Sequence, residues 1–173
     1  MKKIMMVVIS LITSVSTFAQ TGKFITTKEG ITEYVVVDVP NSDAKKIYDK
    51  TINWVSETYR NPSEVLTAKI ENEKVIFNGS TQLSGGMDYV NYRVAVSIKD
   101  NKYKFEVDEI FIVGSAIGRY NYKQNLSQYF KSDGTPKPRL SSTISEIETS
   151  LNSLNTSLEM YINSTGSSKN NNW

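Results

Sequence analysis

The chain has 173 residues with 20 basic and 18 acidic side chains, and it contains neither histidine nor cysteine. That composition excludes Ser-His-Asp and Cys-His nucleophiles, imidazole bases, disulfides and nearly every structural zinc site. Its formal charge of +2 rests on Lys2 and Lys3 alone, so beyond them the chain is neutral and nucleic acid is not an expected partner.

Met1-Lys2-Lys3 begins a positive segment, Ile4 to Val15 is apolar except for Ser10, Thr13 and Ser14, and Thr17-Phe18-Ala19 offers small residues before Gln20. This is the three-part build of a secretory signal peptide, here residues 1–19, with an apolar run short for a membrane span. No Cys follows, so acylation as a lipoprotein is closed. The expectation is export to the periplasm or the envelope surface, with no transmembrane segment in the mature chain. A chain of about 150 residues buries about 68–70% of its unfolded surface, enough for a core without staples.

Residues 20–30 are polar and read as a loose lead-in. From Ile31 to Val39 the pattern sets Val35, Val37 and Val39 on one face and Tyr34, Val36 and Asp38 on the other, and this β-branched, period-two run predicts a strand. Pro40-Asn41-Ser42-Asp43 ends it and supplies caps, Asn41 or Ser42, for a helix. Ala44, Ile47, Tyr48, Thr51, Ile52, Val55 and Tyr59 make one stripe of that helix, and Asn61-Pro62 stops it. Trp54, beside the Val55 stripe, reads as a core-edge ring rather than a ligand-stacking one.

Period-two alternation then predicts four more strands, around Leu66–Glu71, Val75–Asn78, Val90–Ile98 and Tyr103–Asp108. A bulge is expected at Glu109-Ile110, where the alternation slips. A two-residue turn at Asp100-Asn101 would set 97 against 104, 95 against 106 and 93 against 108. Residues 114–139 show no steady period and read as a long loop. Apolar residues at 140, 144, 147, 151, 154, 158 and 161 predict a helix over 140–163, and 164–173 is expected to be a disordered tail.

The fold class is therefore α+β, a single domain over 31–163 in the order β-α-β-β-β-β-α. Clean alternation implies an antiparallel five-stranded sheet with one covered face, and both helices on that face. The Tyr89, Asn91, Arg93 row falls on the other face, as a binding surface or as a solvated strand face.

The strand Glu33 to Pro40, the helix around Ile52-Asn53-Trp54-Val55, the hairpin from Lys69 to Phe77 and the strand pair Tyr92 to Val107 resemble an exported bacterial family. It is domain of unknown function 4468, and the resemblance covers about residues 31–113. It implies a fold like that of TATA-binding protein and no chemistry, because fold alone does not carry function.

Glu106 and Asp108, two apart on one strand face, are the pair left for a hydrolase. Their separation would be roughly 6–7 Å. Arg93 opposite Asp108 would instead make an ordinary cross-strand ion pair that lowers a carboxyl pKa. No catalytic residue, metal site or cofactor is expected. The expected function is a non-enzymatic periplasmic or surface binding module, with a small apolar-ligand carrier as the alternative. A cavity of about 300 Å³ or more between the second helix and the sheet would mark a carrier, and a solid core there counts against it. The candidate binding residues are Arg119, Tyr120, Tyr122, Lys123, Tyr129, Phe130 and Lys131, where aromatic rings interleave with cations. Such a surface suits an envelope glycan, a lipid headgroup or an acidic protein.

Overall fold

The computed structural model describes residues 20–85, 87–116 and 120–164. The signal-peptide segment and residues 165–173 of the tail lie outside them. The elements in chain order are β1 (Gln20–Thr21), β2 (Thr26–Thr27), β3 (Gly30–Ile31), β4 (Tyr34–Asp38), α1 (Ala44–Thr58) and the single turn α2 (Pro62–Val65). They continue with β5 (Leu66–Ile70), β6 (Lys74–Gln82), β7 (Asp88–Lys99), β8 (Lys102–Ala116), β9 (Tyr120–Gln124), a 3-10 turn (Leu126–Tyr129) and α3 (Ser141–Asn163).

The sheet is antiparallel, in the order β1-β4-β8-β7-β6-β5, with β9 added to β8. It has seven strands among the described residues, two more than the five expected. The additions are short pieces: β1 lies along Val36 and Val37, and β9 forms from the segment read as a loop. The lead-in is not loose either. Its Phe24 is buried and clamped to α3, donating its N–H to Asn152 Oδ1 at 2.9 Å while Asn152 Nδ2 donates back to the Phe24 carbonyl at 3.0 Å.

Alternation places Val35, Val37, Val75, Phe77, Val90, Val94, Val96, Ile98, Tyr103, Phe105 and Val107 on one face, all buried. They pack with Ile47, Trp54 and Val55 of α1 and with Ile144, Ile147, Leu151, Leu158 and Ile162 of α3 in one cluster. The two helices thus share the covered face. Trp54 joins them, donating its indole N–H to Ser157 Oγ at 3.1 Å, and its ring meets Phe77 edge-on at 5.7 Å.

The caps differ from expectation in detail. Asp43, not Asn41 or Ser42, caps α1 by accepting from the Lys46 N–H at 2.7 Å. Asn41 is instead in the left-handed region at φ 61°, where an Asn side chain is tolerated. Along α3 the buried positions run 144, 147, 151, 155, 158 and 162. This 3.6-residue drift turns Leu154 and Tyr161 to the rim and brings Asn155 into the core. Straight helix packing on a sheet explains that drift, whereas a strict seven-residue seam would supercoil.

The turn register holds for Lys99↔Lys102, Ser97↔Lys104 and Ala95↔Glu106, then shifts. Val94 pairs with Val107 and Arg93 with Glu109, so Asp108 is the extra residue of a bulge one position before the expected slip. Burial reports the same event: Val107 is inward before it, Ile112 after it.

Candidate functional site

The bulge decides what the carboxylates on β8 can do. With Asp108 and Glu109 both turned outward, the Arg93 guanidinium spans them. It gives two hydrogen bonds to Asp108, at 2.8 Å and 2.9 Å, and pairs with the Glu109 carboxylate at 3.0 Å. Lys104 meets Glu106 at 2.9 Å. Each of these carboxylates is therefore engaged by a cation in a cross-strand or same-strand ion pair. Among the described residues no group of His, Cys, Asp or Glu is arranged to hold a metal ion.

The expected binding loop over 114–139 is not a structureless loop. β8 and β9 form a hairpin, with Gly114 opposite Tyr122 and Val113 opposite Lys123. The chain then turns through the 3-10 segment, and Phe130 bridges to Pro136. The seven candidate residues separate accordingly. Tyr129 and Phe130 are core residues, 3% and 6% exposed, and are closed to a ligand. Tyr122 donates its hydroxyl to Asp88 at 2.8 Å, a bond that pushes its phenol up to about 12. Glycine is required at 114, because a Cβ there would collide with both partners of that bond. Lys131 is exposed away from the hairpin, at a turn where its N–H donates to Thr135 at 2.8 Å. Tyr120 lies in β9, and Arg119 lies outside the described residues.

Among the described candidates only Lys123 is delivered to the second face of the sheet, where its ammonium sits 3.6 Å from the centre of the Phe111 ring. Neither α1 nor α3 covers that face. Asn78, Ser80, Gln82 and Tyr89 are exposed on it, and Asn91, Arg93 and Phe111 are half-buried among their neighbours. Register places Asn78 beside Arg93 and Ser80 beside Asn91, with Phe111 beside Asn91 on the far side. Asn78, Ser80, Asn91 and Phe111 line a groove of about 600 Å³ that continues past the edge of β6 to Arg60, Asn61 and Glu64. It opens because β5 pairs with β6 only as far as Phe77.

At its inner end the groove reaches Gly79, Tyr92 and Tyr59. The Tyr59 hydroxyl is buried there with no hydrogen-bond partner. Burial first, then the neighbouring Tyr92 hydroxyl, hold this phenol far above its ordinary range. The row Tyr89, Asn91, Arg93 was legible from alternation. Phe111, Asn78, Ser80 and Tyr59 were not singled out, because the bulge and the cross-strand register bring them together. The parity change along β8 was the available signal.

The sheet order and the two helices on one face define an α+β domain with a TBP-like fold. Residues 34–112, from β4 into β8, match the family described as Domain of unknown function (DUF4468) with TBP-like fold. Among solved structures it is similar to a DUF4468 family protein from Bacteroides ovatus at 14% identity and a TM-score of 0.59. That alignment covers 75% of this chain and 84% of the other. It is also similar to a TBP-like protein from Parabacteroides distasonis at 11% identity and a TM-score of 0.61, over 75% of this chain and 90% of that one. These likenesses concern the fold. No curated protein sequence matches the chain.

Proposed function

We propose that this is an exported, non-enzymatic binding module of the cell envelope, and that the uncovered face of its sheet is the binding surface. The observation that carries the reading is the polar groove over Asn78, Ser80, Asn91 and Phe111 on the face opposite α1 and α3. Rigid strands hold those side chains at fixed spacing, which favours recognition over a mobile loop. Export rests on the Lys2-Lys3, apolar and Thr17-Phe18-Ala19 segments, and the missing Cys after them argues against a lipid anchor. The ion-paired carboxylates support binding rather than hydrolysis.

The carrier reading gains no support. Tyr103, Phe105, Ile147, Leu151 and Leu158 fill the space between α3 and the sheet, each at 1% exposure or less. The test is sedimentation of the mature protein with the native envelope fraction. Retention of the parent and its loss in Asn91→Ala with Phe111→Ala are expected. Equal retention of parent and variant, or none for either, contradicts the reading.

A further inference from the structure

We infer that the groove on the uncovered face takes a neutral oligosaccharide, a deepening that rests on the reading of that face as the binding surface. The first argument is unspent hydrogen-bonding capacity. Ser80 and Asn91 are direct cross-strand partners and Asn78 lies two residues from Ser80 on the same strand. Among the described residues none of these three side chains has a hydrogen-bond partner. Amides and hydroxyls both donate and accept, and sugar hydroxyls ask for that combination.

Charge decides against the anionic candidates. Arg60 and Arg93 line the groove together with Glu64 and Glu109, and Arg93 is already held by Asp108 and Glu109. No net positive field remains to draw a phosphate headgroup or an acidic protein surface. Shape decides against a peptide added to the sheet. Such a peptide lies along one strand edge and uses backbone groups, whereas this groove crosses β6, β7 and β8 and presents side chains. The crossing spans about 10 Å at ordinary strand spacing, and Phe111 supplies apolar surface for the C–H face of a sugar ring. Lys123 sits over one face of that ring.

The experiment titrates the isotope-labelled mature protein with chitotetraose, cellotetraose and maltotetraose, and separately with inorganic phosphate and a neutral decapeptide, following the side-chain amide signals of Asn78 and Asn91. At least one tetrasaccharide is expected to shift both signals with millimolar or tighter affinity. Asn78→Ala with Asn91→Ala, at unchanged melting temperature, is expected to weaken that binding about tenfold, or about 1.4 kcal/mol. The inference is overturned if no tetrasaccharide moves these signals, if the peptide or phosphate moves them instead, or if the double variant binds as well as the parent. Should the tetrasaccharides fail while face-dependent envelope retention persists, the sugar assignment falls and the binding module stands. Should retention itself prove independent of the face, both fall.

Discussion

The ring of Tyr92 lies across Gly79, its direct partner on the neighbouring strand, so closely that a methyl group at position 79 would overlap it. Tyr92 is buried, and its hydroxyl shares a 3.4 Å contact with Thr81 Oγ1. The pair forms the inner wall of the groove, so Gly79→Ala must displace a packed ring. The expected loss is about 1–3 kcal/mol on the scale of core overpacking, read by denaturant unfolding. A change below about 0.5 kcal/mol would show that the ring moves freely and does not shape the groove.

Leu151 and Val94 are both fully buried, at 0% exposure, from opposite sides of the helix–sheet core. Leu151→Ala should cost about 2–5 kcal/mol, the range for removing a buried leucine. A loss below about 0.5 kcal/mol would mean that α3 faces solvent or another chain in solution.

Tyr122 carries a pH signature. Its bond to Asp88 keeps the phenol neutral up to about 12 in the fold, whereas an unfolded tyrosine ionises near 10. Between those values the unfolded state has lost a proton that the native state retains. The stabilisation is therefore complete below pH of about 10 and declines as the pH rises to about 12. Burial holds Tyr59 and Tyr103 high as well, so ultraviolet titration should show several late tyrosines, and part of that late absorbance should move toward ordinary values in Asp88→Ala. An unchanged titration in that variant would contradict the assignment.

Much of the fold was legible because one buried face leaves a period-two record. Val35, Val37, Val75, Phe77 and the even positions from Val90 to Ile98 are all inward. The slip after Val107 recorded the bulge to within one residue. The hairpin to β9 was not legible, since a strand added at the rim of a sheet buries little on either side and leaves no alternation. Tyr129 and Phe130 misled for a related reason: aromatic rings between lysines look the same whether they face solvent or cap a sheet edge. Phe24 was a single apolar residue in a polar stretch, and only its clamp to Asn152, 128 positions away in the chain, gives it a place. The groove depends on side chains from three strands and on the absence of one at Gly79. Such a juxtaposition has no local pattern.

Export is checked on the protein recovered from envelope fractions. Its N-terminus is expected at or within a few residues of Gln20. A chain still beginning at Met1 would remove the envelope from the account.

The uncovered sheet face as the binding surface is tested most directly by photo-crosslinking in living cells. A photoreactive side chain replaces Ser80 on that face or Thr149 on the solvent side of α3, both exposed positions. The account predicts crosslinks to envelope material from position 80 and none from position 149. Crosslinks from 149 alone, or equally from both, would contradict it.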